Sequence, residues 1–326
     1  MPSVACFGEA LVDLLAEPEK DPAIPQHFVR YAGGAPANVA VAVAKLGTPA
    51  AFVGMLAEDP FGDFLLESLR AAGVSTEHVV RTREAHTALA FVSLDAKGER
   101  QFSFYRPPAA DLLFRSHHFH DACFAEAAVF HACSNSLTEA GIAEVTLEGM
   151  RRAHAAGALV SFDVNLRVNL WPEDVDPRPR IWRALHEAQL VKLSAAELVF
   201  LAEPLGSEAA VLDALWRGRT QWVWVTDAAA PIRHFTRSGN GTLPAFGVQT
   251  VNATAAGDAF VGGMLSWLMR DKVSAVSLTD WLADAGRLQN ALRFAAACGA
   301  LAVTRHGAFA AMPSLTEAQR FLAVQS

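Results

Sequence analysis

In the last third of the chain, Asn252-Ala253-Thr254-Ala255-Ala256-Gly257-Asp258-Ala259-Phe260 sets small residues directly before an apolar helix pattern, with an acid in its first turn. Small side chains let an anion approach the backbone, and the free N–H groups and positive dipole end of a helix start attract it. Ala255, Ala256 and Gly257 would supply such an anion hole, and Asp258 stands where a carboxylate can take a hydroxyl proton. An acid in a first turn is also an ordinary helix cap. The segment alone fits either reading.

A second segment, Gly33-Gly34-Ala35-Pro36-Ala37-Asn38-Val39-Ala40-Val41-Ala42-Val43-Ala44-Lys45-Leu46-Gly47, lies far upstream. Gly33 and Gly34 permit close backbone approach, and Asn38 offers both a donor and an acceptor at the start of a small-residue helix. Together the two segments resemble the paired signatures of the ribokinase-like (pfkB) carbohydrate kinase family. The resemblance runs over nearly the whole chain. It takes in Gly8-Glu9-Ala10-Leu11-Val12-Asp13, Phe104-Tyr105-Arg106 with Ala110-Asp111, Asp163-Val164-Asn165-Leu166-Arg167, Gly299-Ala300-Leu301 and Gly307-Ala308. With Trp171-Pro172 after the Asn-Leu-Arg run, the pattern is most similar to that of bacterial fructokinases. 2-Keto-3-deoxygluconate kinases and aminoimidazole riboside kinases share much of it.

The resemblance implies an ATP-dependent kinase that phosphorylates a primary hydroxyl of a small sugar, with Mg2+ as cofactor. In that reading Asp258 is the base, and the backbone of Ala255, Ala256 and Gly257 receives the γ-phosphate. Asp13, Gly33, Gly34, Asn38, Phe104, Arg106, Asn165 and Arg167 face the sugar, and Thr226, Ala255, Gly257 and Gly299 face the nucleotide. Glu197 holds the metal through water. Four departures from the family pattern bear on these roles. Ser194 stands where the metal region usually has an amide, and Asn252 and Ala253 replace an aspartate and a threonine beside a potassium site. Potassium dependence is therefore expected to be weak. The loop Thr226-Asp227-Ala228-Ala229-Ala230-Pro231 has alanines where glycine is usual. Alanine is expected only at negative φ, which would seat this loop differently against ATP. These departures also keep open a catalytically silent sugar-binding protein.

The elements that position these residues follow from periodicity. Apolar β-rich runs at 4–7, 50–53, 129–132, 159–163, 190–193 and 222–226 alternate with helix patterns at 38–46, 61–72, 139–155, 207–217 and 259–269. That alternation predicts an α/β fold, a mostly parallel central sheet flanked by helices. Ser314 and Glu317 have the spacing of a capping box that opens a closing helix. The stretches 14–31 and 87–106 break the alternation, the second as a hairpin turning at Asp95-Ala96-Lys97-Gly98. They predict a small β lid over the C-terminal edge of the sheet, within one kinase domain spanning 1–326. Pairing of exposed lid strands would give a homodimer.

Composition narrows the function classes. A net charge of −7, with scattered basic residues, argues against a nucleic-acid partner. No continuous apolar stretch is long enough for a membrane span, and no basic start or cleavage site precedes Gly8-Glu9, so a cytoplasmic location is expected. Cys6, Cys123, Cys133 and Cys298 match no metal-ligand spacing and are expected to be reduced and mostly buried. The His117-His118-x-His120 cluster lacks a nearby acid or thiol and is read as a surface turn. Trp171, Trp222 and Trp224 are expected to pack in core and lid.

Overall fold

The computed structural model describes residues 3–17, 26–94 and 100–325. In chain order its strands are β1 (Ser3–Phe7), β2 (Leu11–Ala16), β3 (Phe28–Gly33), β4 (Ala50–Ala57), β5 (Ser75–Thr82), β6 (Leu89–Leu94) and β7 (Arg100–Tyr105). There follow β8 (Ala127–Cys133), β9 (Leu159–Asp163), β10 (Leu190–Ser194), β11 (Trp222–Thr226), β12 (Ile232–Thr236) and β13 (Gly239–Leu243). The main sheet has the order β13-β12-β11-β10-β9-β8-β1-β4-β5. It is parallel from β5 through β11, and β12 and β13 close one edge antiparallel.

The central strands are apolar on both faces, as strands between two helix layers should be. Ala5 and Phe7 of β1 join one buried cluster and Val4 and Cys6 join the other. The helix Ala140–Ala155 covers the first face. Ala35–Lys45, Ala256–Arg270 and Ala285–Ala302 cover the second. The predicted strands all form, and β4 runs four residues past its expected end. Helix Ala35–Lys45 begins earlier than the expected 38, because Pro36 is tolerated in a first turn that needs no N–H donor. Ser314 and Glu317 do form a reciprocal capping box. All four cysteines are free and buried, Trp171, Trp222 and Trp224 are core residues, and Ser116–His118 is a short turn without buried residues.

The smaller sheet has the order β3-β2-β6-β7. Its strands β2 and β3 extend beyond the expected 14–31 at both ends, whereas the turn expected at Asp95–Gly98 lies outside the described residues. Register puts Asp13, Tyr31, Ala90 and Phe104 in one row on the same face. Asp13 and Phe104 face the cavity described next. No helix among the described residues is long and apolar enough to cross a membrane.

Candidate active site

A cavity of about 440 Å³ opens at the C-terminal ends of β1, β9 and β10, roofed by the smaller sheet. Of the residues singled out from sequence, Asp13, Gly34, Asn38, Phe104, Asn165, Arg167, Glu197, Ala255, Ala256, Gly257 and Asp258 line it. Gly34 has φ 105, and a methyl group there would meet the Glu9 carbonyl oxygen at 2.5 Å. Only glycine allows the chain to pass so close to β1 before the next helix begins.

The two signature helices cross tightly. A methyl placed on Gly262 would lie 2.4 Å from the Ala42 Cβ, so the crossing depends on its absence. This approach sets Asn38 beside Asp258, and the Asn38 amide donates to Asp258 Oδ2 at 2.8 Å. Ala255 caps the second helix with φ 63, a left-handed conformation that turns the preceding chain into the helix start. Asp258 follows in the first turn with its side chain buried. Burial, reinforced by the charge of Asp163, raises its pKa to about 7, against the lowering effects of Asn38, Lys192 and Arg167. A carboxylate poised near neutrality suits a general base. Burial also raises Asp13 to about 7.

Glu197 and Ser194 explain each other. Ser194 caps the helix Ala195–Ala202, its hydroxyl accepting the Glu197 N–H at 3.2 Å while Glu197 Oε2 accepts the Ser194 N–H at 2.6 Å. Glu197 Oε1 accepts the Leu166 N–H at 2.8 Å. The serine thus fixes the direction of the carboxylate that lines the cavity.

Arg106 lies elsewhere than expected. It is fully buried, donates to Asp111 Oδ2 through Nε at 3.0 Å and Nη2 at 2.5 Å, and reaches Thr138 Oγ1 at 3.3 Å. Burial opposes its charge, but Asp111 and Glu9 outweigh that and hold its pKa above the ordinary value. Its fork is committed to Asp111 and Thr138, so a direct sugar contact is corrected to support beneath the site. Gly33, Thr226, Gly299 and Asn252 likewise do not line the main cavity. Gly299 backs the Ala256 carbonyl, and Thr226 pairs in register with Ser194 one strand over. Asn252 Oδ1 accepts the Thr254 N–H at 2.8 Å, and both residues border a smaller cavity with Asp13 and Tyr31. The expectation that alanine would keep φ negative after β11 is wrong at Ala228, where φ is 42. The loop tolerates about 1–2 kcal/mol of left-handed strain there.

Glu9, Asn135 and Lys192 also line the cavity, and the roles expected from sequence do not include them. Glu9 Oε1 accepts the Ala35 N–H at 3.1 Å and the Asn135 amide at 2.9 Å, and burial raises its pKa although Arg106 pulls it down. Lys192 Nζ lies 3.1 Å from Asp163 Oδ1. A charged residue inside the apolar run of β10 was the signal that would have flagged it.

The model of pfkB family carbohydrate kinases matches residues 1–315. Fructokinase-1 of Oryza sativa subsp. japonica is 40% identical over 324 residues, covering 98% of this chain and 97% of that protein. The crystal structure of fructokinase with bound ATP from Xylella fastidiosa is 56% identical with a TM-score of 0.95, over 99% of this chain and 98% of that one. A double mutant of Vibrio cholerae O395 fructokinase, in fructose, ADP and potassium ion bound form, is 32% identical with a TM-score of 0.86, over 99% and 98% of the two chains. By sequence, fold and the placement of its two signature segments, the chain belongs to the pfkB family of carbohydrate kinases.

Proposed function

We propose that the chain transfers the γ-phosphoryl group of ATP to the primary hydroxyl of fructose, giving fructose 6-phosphate. The observation that carries this reading is Asp258. It is a buried carboxylate of pKa about 7, oriented by Asn38 and placed one residue after the small-residue helix start that can receive phosphate. Phosphoryl transfer asks mainly for positioning and charge stabilisation. Asp13, Gly34 and Asn38 supply mixed donors and acceptors for sugar hydroxyls on one side of the cavity. Asp258 takes the hydroxyl proton as the sugar oxygen bonds to phosphorus, and closure of the smaller sheet excludes water. Fructose is the substrate of the relatives' names, and the Xylella enzyme holds ATP.

Among the described residues no group of three or more His, Cys, Asp or Glu side chains is gathered into a metal cage. A hard divalent cation that arrives on nucleotide phosphates and keeps most of its waters needs none. Glu197, with both oxygens fixed by backbone N–H groups and its side chain on the cavity, fits the role of a carboxylate reaching Mg2+ through water. Bound there, Mg2+ would neutralise charge on the phosphates. The Vibrio enzyme holds potassium, and here Asn252 brings no formal charge to the matching region. The whole chain is read as one kinase domain in the cytoplasm. Exposed Phe28 and Tyr105, both packed edge-on against Phe91, support pairing of two copies through the smaller sheet.

A coupled ADP-release assay with Mg-ATP and a panel of sugars tests the function. Fructose-dependent release is expected, and no sugar-dependent release would leave a silent sugar-binding protein.

A further inference from the structure

Lys192 is buried, yet it lines the cavity together with Ala255, Ala256, Gly257 and Asp258. Its ammonium lies against the anion hole. A methyl placed on Gly257 would sit 3.0 Å from Nζ. Asp163 Oδ1 holds that nitrogen at 3.1 Å, while Asp163 Oδ2 is buried without a hydrogen-bond partner. A buried lysine paired with a buried aspartate has a bland explanation, since each charge needs the other. Two observations go beyond it. The ammonium meets the cavity at the helix start that receives phosphate, and an ammonium carries three donors, more than the one Asp163 oxygen at 3.1 Å can take.

The local charges make the same point. Asp163, Glu197 and Asp258 all act on Lys192, and burial, which opposes its charge, is outweighed by them, so the lysine stays protonated. A nucleotide entering this cavity adds further negative charge. Lys192 and Arg167 are the cationic side chains that line it.

We propose that Lys192 is a catalytic residue that donates a hydrogen bond to the γ-phosphoryl group during transfer, with Asp163 as the arm that holds it in place. The inference rests on the kinase reading given above. In the step, the sugar oxygen forms a bond to the γ-phosphorus and its proton passes to Asp258. The bond from that phosphorus to the β–γ bridging oxygen breaks, and ADP leaves with the electron pair. Lys192 transfers no proton. It carries positive charge to oxygens that lie between the two partners during the step, where one preorganised donor is worth about 10²–10³ in rate.

The test compares wild type, Lys192→Met and the double variant Lys192→Met/Asp163→Asn, with fructose and Mg-ATP, by ADP release and thermal unfolding. The double variant removes the Lys192–Asp163 ion pair as a unit, so it leaves no unpaired Asp163 charge to unfold the protein. Expected is a kcat loss of about 10²-fold in the double variant, with the fructose KM little changed. A Lys192→Met protein that folds should also move the acid limb of its pH–kcat profile to higher pH, because the ammonium lowers the pKa of Asp258, whose other charged neighbours are Asp163 and Arg167. A double variant within about tenfold of wild type would overturn the proposal, because the lysine would then be only a counter-ion. Failure of the kinase reading looks different: wild type itself would release no ADP.

Discussion

The Asn38 amide donates to Asp258 Oδ2 at 2.8 Å across 220 residues of sequence. This bond joins the first turns of two helices, and it leaves Asp258 Oδ1 as the oxygen without that partner. With a pKa of about 7, Asp258 is only about half ionised at neutral pH. We expect kcat to fall as pH drops below about 7, since the base must be unprotonated. Asp258→Asn should lower kcat by at least ~10²-fold while ATP binding stays near wild type. Initial rates across pH, with nucleotide binding by calorimetry, check both, and near-normal turnover in the variant would contradict the assignment.

The same raised pKa makes Asp258 a cost to the fold. An aspartate whose folded pKa exceeds its unfolded value of 3.8 binds more protons when native, so its destabilisation is absent below about pH 4 and complete above about pH 7. The upper bound is about 4 kcal/mol for a shift of this size. Asp258→Asn should therefore unfold at a higher temperature than wild type at pH 8, and the difference should shrink towards pH 4. Equal melting temperatures at pH 8 would show that the buried charge is better compensated than Asn38 and Lys192 suggest.

Arg106 and Arg167 separate by their partners. Arg106→Met leaves Asp111, and Glu9 behind it, buried without their cation, a loss of about 3–5 kcal/mol. Its main effect should be a lower melting temperature, with fructose KM little changed in the protein that remains folded. Arg167 lines the cavity, so Arg167→Ala should raise a KM with little effect on melting. The reverse pattern would place the Arg106 guanidinium on the substrate.

Asn252 bears on monovalent cations. Its side-chain oxygen already accepts the Thr254 N–H at 2.8 Å, and it brings no charge. Activity in potassium chloride and in tetramethylammonium chloride at equal ionic strength should differ little. A large drop without potassium would mean that backbone carbonyls suffice for the cation.

The sequence made the scaffold readable because its strands are near-continuous apolar runs, as in β4 and β11, and its helices carry clean starts, as at Ser207 and Ser314. The site was readable where small residues and a single acid stand together, as around Asp258. It was not readable where function depends on a partner distant in the chain. Sequence places Arg106 in a ligand position, and only the fold shows its pairing with Asp111. Ser194 stands where the resemblance expects an amide, and Ser-x-x-Glu before an apolar run is itself a capping-box signature. Lys192 and Glu9 are not legible in this way, because strand patterning describes faces and not what lies across a cavity.

The central claim is that this cavity phosphorylates a neutral ketose. Arg106 is committed to Asp111, and Asp13 would repel a nearby carboxylate, which leaves Arg167 as the cavity-lining arginine for a sugar acid. The most direct measurement is kcat/KM for fructose and for 2-keto-3-deoxygluconate at saturating Mg-ATP, with the product identified by phosphorus NMR. We expect fructose 6-phosphate, and a preference for fructose of at least about tenfold, which is about 1.4 kcal/mol of differential transition-state binding. A preference for the sugar acid, or ADP formed without fructose 6-phosphate, would contradict the account.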